Sequence, residues 1–215
     1  MNILFLQFLL DIFFLTIVFL HITKKNFLVA IAYGVQSFVV LLILLNSFWE
    51  THNYYLLIVI VLTLVIKIIL APLFFIRLIK KHALIFSVNT YLNIPLTLIS
   101  IAALTFMAHS QKFLPLTNIV PANQAILALA LSSIFLSLFL IINRKGALSQ
   151  IISILSLENS IIAFIIFAGL EQSPALQIGV IFNVFVWIAI ASVFVSMIYQ
   201  HFGTLNVTSM KNLTD

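Results

Sequence analysis

Residues 54–78 read YYLLIVIVLTLVIKIILAPLFFIRL, and between Tyr54 and Ile76 the only charge is Lys67. At about 1.5 Å of rise per residue, such a run is long enough to cross the roughly 30 Å hydrocarbon core of a bilayer as a helix. Polar and apolar residues do not alternate along it, so a barrel strand is the wrong reading. Lipid offers the backbone no hydrogen bonds, and a helix satisfies its own within one segment. The stretch therefore sets the expectation of an all-α integral membrane protein. It also asks what holds an ammonium group in hydrocarbon.

Composition extends that expectation to the whole chain. Of 215 residues, 64% are hydrophobic and 7% charged, with a mean hydropathy of +1.28. Soluble domains run at about 45–50% apolar and about 25% charged, so this excess has no core large enough to hide in. Seven apolar runs can be drawn, at 2–21, 27–48, 54–78, 84–108, 122–143, 147–170 and 175–200. They form a single polytopic membrane domain over 1–215, a bundle of about seven transmembrane helices. Helices up to about 108 make its N-terminal part, those of about 122–200 its C-terminal part, and 201–215 a polar tail with Gly203 as a helix C-cap. The one sizeable connection, HSQKFLPLTNIVPAN at 109–123, is marked as a surface loop by two prolines.

The chain has no cysteine, which excludes disulfides, thiolate metal sites and Cys-ligated clusters. The first run carries Asp11, has no basic residue ahead of it and lacks a small-residue cleavage site, so it is expected to persist as a span. Lysines and arginines set the orientation. Lys24, Lys25, Arg77, Lys80, Lys81, Arg144, Lys145 and Lys211 all fall on one side of a seven-span arrangement, against Lys112 on the other. The positive-inside rule then puts the N-terminus outside and the C-terminus in the cytoplasm. A six-span chain with one run lying in the interface is the alternative.

Three charges fall near mid-span: Asp11, Lys67 and Glu158. Facing lipid, each would cost roughly 2.5–3.5 kcal/mol. About eleven residues, roughly 16 Å of rise, separate Lys67 from an interface, too far to snorkel. It must face a protein or water interior and find a partner. A structural ion pair with Glu158 that fixes helix register is one reading. A proton relay is the other, since intramembrane ionisable groups mark ion pathways. Asp11 either joins that relay, neutralises Lys67 or contacts another subunit. Gln36 with Ser37, and Asn183, place further polar atoms mid-span, so a row of Lys67, Glu158, Gln36 and Asn183 is expected to hold water. Thr63 shares the Lys67 face. Pro72 frees the carbonyl of Ile68 and is expected to kink the third span, and Pro95 with Asn93 to do the same in the fourth.

Other features read more plainly. His21, His82, His201, His52 and His109 lie near span ends, which is unsuited to bis-histidine haem ligation. The 21 phenylalanines read as lipid-facing bulk. Ala128 with Ser132, and Ser133 with Ser137, offer small faces for helix packing. KKNFLVAIAYGVQS and RKGALSQIISILSLENS each run from a basic turn into a helix with a polar mid-span residue, a loose echo of a parallel repeat.

Several motifs in order, TLVIKIILAPLFFIR, the VQS of 35–37, SLENS around Glu158, IGVIFN ending at Asn183 and GTLNV in the tail, resemble the hydrogenase-4 component E family. The resemblance implies a membrane-arm subunit of a complex-I-like assembly, with a C-terminal half similar to the small K-type subunit. It implies a mid-membrane glutamate at Glu158 and the family's lysine before proline at Lys67. Where that family commonly has acids, this chain has Gln177, Asn183 and Asn206. The implied function is a non-catalytic subunit of a membrane oxidoreductase, contributing scaffold and a proton pathway. No cofactor is expected on this chain. Expected partners are antiporter-like and quinone- or hydrogenase-module-like subunits and the lipid bilayer, with no nucleic acid. The implied location is a bacterial cytoplasmic (inner) membrane. The alternatives are a stand-alone secondary transporter or ion channel, and a purely structural anchor.

Overall fold

A computed structural model describes residues 3–81, 89–117 and 124–168, together with scattered helical positions between 178 and 198. The described residues are helical, with no strand beyond a single bridge between Thr90 and Arg144. Helices α1 (Ile3–Ile22) and α2 (Asn26–Thr51) are followed by a long rod. The rod consists of α3 (Tyr54–Leu62), a π-helical segment (Thr63–Leu70) and α4 (Ala71–Lys81). After it come α5 (Ile94–Ala108), a short turn at Gln111–Phe113 leading into α6 (Leu114–Thr117), α7 (Gln124–Asn143) and α8 (Ala147–Phe167).

Five of these segments are long and apolar enough to cross a membrane: Leu4–Ile22, Asn26–Glu50, Tyr54–Lys80, Gln124–Asn143 and Ala147–Phe167. They match five of the seven runs read from the sequence. The run at 84–108 is different, because its helix begins only at Ile94. Asn93 is the N-cap, its side chain accepting from the Leu96 N–H at 3.0 Å, and Pro95 sits in the first turn. A proline there loses no helical hydrogen bond. The kink expected at Pro95 is thus a helix start, and the remaining 15 residues rise only about 22 Å. The run at 175–200 lies mostly outside the described residues, as do Gly203 and the tail.

Short turns fix how the helices neighbour one another. His52 closes α2 in the left-handed region (φ 49°), and Asn53 caps α3 by accepting from Tyr55 N–H. Trp49, Tyr54 and Tyr55 are all exposed around this turn, as aromatic residues at a membrane interface are. At the opposite end three connections meet. Arg144 Nη1 donates to the Thr23 carbonyl at 3.1 Å, joining the α7–α8 turn to the α1–α2 turn. Lys145 N–H donates to the Asn89 carbonyl and Tyr91 N–H to the Asn143 carbonyl, which brings in the segment ahead of α5. Lys24, Lys25, Arg144 and Lys145 therefore share one end of the bundle. Lys145 Nζ stands 4.6 Å from the centre of the Tyr91 ring.

Inside, apolar side chains form two separate clusters. One contains Leu10, Phe13 and Ile17 of α1, Val40 and Ile43 of α2, Val59 and Ile60 of α3, Leu127 and Leu136 of α7, and Ala163 of α8. The second, toward the basic end, contains Val29 and Tyr33 of α2, Ala71 and Phe75 of α4, and Ile152 and Leu155 of α8. On α2, on the rod and on α8 the fully buried residues between these clusters are polar.

Candidate functional site: a polar layer between two apolar ones

Helices α2 and α8 both start at the basic end and run parallel, while the rod runs against them. Gln36 and Ser37 on α2, Thr63 and Lys67 on the rod, and Ser156, Asn159 and Ser160 on α8 are all buried at this crossing. Lys67 is 1% exposed and lies midway along Tyr54–Lys80. Its Nζ is 2.9 Å from Glu158 Oε1 and donates to Asn159 Oδ1 at 3.0 Å. Asn159 is held in turn, its Nδ2 donating to Ser37 Oγ at 3.0 Å. Gln36 Nε2 donates to Ser156 Oγ at 2.9 Å, and Ser137 of α7 contacts Ser160 Oγ at 2.8 Å. Four elements thus share one hydrogen-bonded layer.

The local reason Lys67 reaches α8 is the wide turn that carries it. In a regular α-helix the Pro72 ring would clash with the carbonyl four residues back, on Ile68. The disturbance predicted at Pro72 takes the form of a π-helical segment, with the Ala71 N–H bonding to the Ile66 carbonyl five residues earlier. Such wide turns cluster at functional sites. Gly34 of α2 makes room for the proline: a β-carbon there would stand 3.2 Å from Pro72 Cγ. Lys67 is thereby presented between Glu158 and Asn159, successive residues of α8.

The layer is not fully satisfied. Both Glu158 carboxylate oxygens are buried although the side chain is 14% exposed, and among the described residues their polar interaction is the ion pair to Lys67. Among the described residues Gln36 Oε1 has no hydrogen-bond partner. Polar atoms of this kind are the ones internal water serves. The arrangement can hold a charge pair at mid-membrane depth, change its protonation, and pass hydrogen bonds along serine hydroxyls.

Of the residues singled out from the sequence, Lys67, Glu158 and Gln36 come together here, with Ser37 and Thr63. Asp11 does not join them. It lies on the exposed side of α1 with no ion pair or hydrogen bond to the layer, because the buried face of α1 is set by Leu6, Leu10, Phe13 and Ile17. Asn183, Gln177 and Asn206 are outside the described residues. The small faces of α7 pack as their spacing suggested, with Ala128, Ser132, Ser133 and Ser137 buried. The sequence reading missed Asn159, which neighbours Glu158 in SLENS. It also missed the ladder Ser149, Ser153, Ser156 and Ser160, whose spacing of four, three and four residues marks one face of α8.

Histidine and arginine at the basic end differ from their sequence reading too. His21 is buried, its Nε2 3.0 Å from the Leu136 carbonyl and its ring stacked on Phe139. Arg144, read as a loop charge, is 1% exposed, and burial lowers its guanidinium to about 10, still protonated at neutral pH. Among the described residues no three His, Asp or Glu side chains gather into a metal-binding group.

Comparison with known proteins adds no neighbour to this geometry: no family model, no curated protein and no solved structure matches the chain.

Proposed function

We propose that the chain is a non-catalytic membrane subunit of a complex-I-like oxidoreductase of the hydrogenase-4 type, and that the Lys67–Glu158 pair is a protonatable station on its proton pathway. The observation that carries this reading is the ion pair itself, 2.9 Å long and sealed at mid-span among Asn159, Ser37 and Gln36. The ordered motifs around Lys67, Glu158 and the VQS of α2 support the family. In this reading the chain has seven spans in a bacterial cytoplasmic membrane, and the shared basic end of the bundle supports the N-terminus lying outside. Redox chemistry belongs to partner subunits, antiporter-like and quinone- or hydrogenase-module-like, and this chain needs no cofactor of its own.

The pair works as a station because neutralising either member strands the other. A proton delivered to Glu158 leaves a buried ammonium without a counter-charge, and a proton withdrawn from Lys67 leaves a buried carboxylate without one. Removing one partner of a buried pair costs about 3–5 kcal/mol, enough to drive a rearrangement of the layer. The apolar clusters on both sides separate the layer from bulk water, so passage requires such a rearrangement. That suits a subunit driven by its neighbours better than an open channel. The second reading, a clasp fixing helix register, is favoured by the Lys67–Asn159–Ser37 chain, which would hold the helices whether or not a proton moves.

Glu158→Gln in the native complex, in membrane vesicles, separates the two. Glutamine keeps shape and hydrogen bonding but carries no proton. The expected outcome is intact assembly with collapse of the electron-transfer-driven pH change. Persistence of both makes Glu158 a clasp.

A further inference from the structure

Helix α1 turns one face inward and leaves the other open. Leu4, Phe8, Leu15 and Phe19 are exposed along that open face, and Asp11 sits among them with Gln7 one turn away. Asp11 lies about 10 Å of rise inside the Leu4 end of the span. A carboxylate at such a depth against lipid is costly, and its short side chain cannot reach the interface. Among the described residues no side chain pairs with it, which points to a complement outside the chain.

The charge distribution says what kind of partner that is. The exposed described cations, Lys24, Lys25, Arg77, Lys80 and Lys112, lie at or beyond the ends of helices, Arg144 and Lys145 occupy the basic-end turn, and Lys67 is committed to Glu158. A second copy packed face to face through α1 would set Asp11 against Asp11, which like charges oppose. We propose that the open face of α1 seats a transmembrane helix of a different polypeptide, with a lysine or arginine opposite Asp11. This rests on the reading of the chain as one subunit of a membrane assembly, and not on the proton pathway. The flanking Leu4, Phe8, Leu15 and Phe19 supply the apolar contact, and the buried charge pair fixes the depth and rotation of the partner helix, as intramembrane charges do when they pair across helices.

The test is photo-crosslinking in native membranes, with p-benzoylphenylalanine at Phe8 and, separately, at Leu15 in the full chain. The expected product is an adduct to another polypeptide whose crosslinked segment carries Lys or Arg within one helical turn. Asp11→Lys should lower its yield about tenfold or more, the factor that 1.4 kcal/mol gives, and Asp11→Asn should lower it less. Reversal of the partner's base to Asp should restore the Asp11→Lys adduct. An adduct only to lipid, to a second copy of this chain or to a helix without a base overturns the proposal, as does a yield indifferent to Asp11→Lys. A native gel run on the same membranes separates the two failures. A chain migrating alone sinks the assembly reading, whereas an intact assembly with lipid-only adducts sinks the Asp11 partner alone.

Discussion

Lys67 and Arg144 are each 1% exposed, yet the bundle holds them in different ways. Lys67, at mid-span, faces a carboxylate and an amide. Arg144, at the basic end, donates to the Thr23 backbone carbonyl, its own carbonyl accepts from Gln150 Nε2 at 2.7 Å, and its Nη2 has no hydrogen-bond partner among the described residues. A backbone carbonyl cannot change charge, so the Arg144 contact ties two turns together without a titratable partner in it. The partner of Lys67 can take up a proton. Burial alone therefore does not mark a working cation; the chemistry of what it is buried against does.

Four variants sharpen or break that contrast. Lys67→Ala leaves the Glu158 carboxylate buried and alone, and should cost about 3–5 kcal/mol. That would appear as a large loss of folded protein and a lowered thermal transition in detergent. Pairing Lys67→Met with Glu158→Leu should recover most of the stability while leaving proton movement abolished. Recovery of proton movement by the double variant would erase the distinction between the two sites. Arg144→Met removes a hydrogen bond from a charged donor, worth about 1.5–3 kcal/mol. Stability should fall, with the pH change per electron transferred unaltered in the assembled complex; a changed ratio would show that the basic end takes part in proton movement. The smallest effect belongs to Gly34→Ala, whose β-carbon would press on Pro72 Cγ at 3.2 Å. Crowding there should cost about 1 kcal/mol, measurable as a modest shift of the same thermal transition.

How much of this was legible in the sequence follows from what each residue can do alone. Lys67 and Glu158 stood out because hydrocarbon penalises charge wherever it falls, so their need for partners could be read before any fold was known. Five span boundaries followed from the length of the apolar runs. The role of Pro95 was less legible, since a proline serves equally as a kink or as a first-turn residue, and only the cap at Asn93 decides between them. Arg144 was hidden for a related reason: an arginine in a turn is usually solvated, and its burial depends on three connections meeting at one end. The π-helical segment has no single-residue signature. Pro72 signals a disturbance of the helix without saying whether it is a kink or a wide turn, and the room for the wide turn comes from Gly34 on another helix. Asn159 and the serine ladder were visible as letters but silent as signals, because serine and asparagine declare a function only when something charged is placed beside them.

The separation of the interior into two apolar clusters with a polar layer between them has an electrical consequence. Lys67 stands halfway along its span, so a charge travelling from either surface to the layer crosses about half of the transmembrane potential. A full crossing is worth about 2.3 kcal/mol per 100 mV, and half of it about 1.2 kcal/mol. The apolar clusters act as the two halves of an insulator, and the ion pair is the plate between them. On the proposed reading, occupancy of that plate by a proton depends on membrane voltage as well as on pH, and an energised membrane sets a different resting charge at Glu158 than a de-energised one.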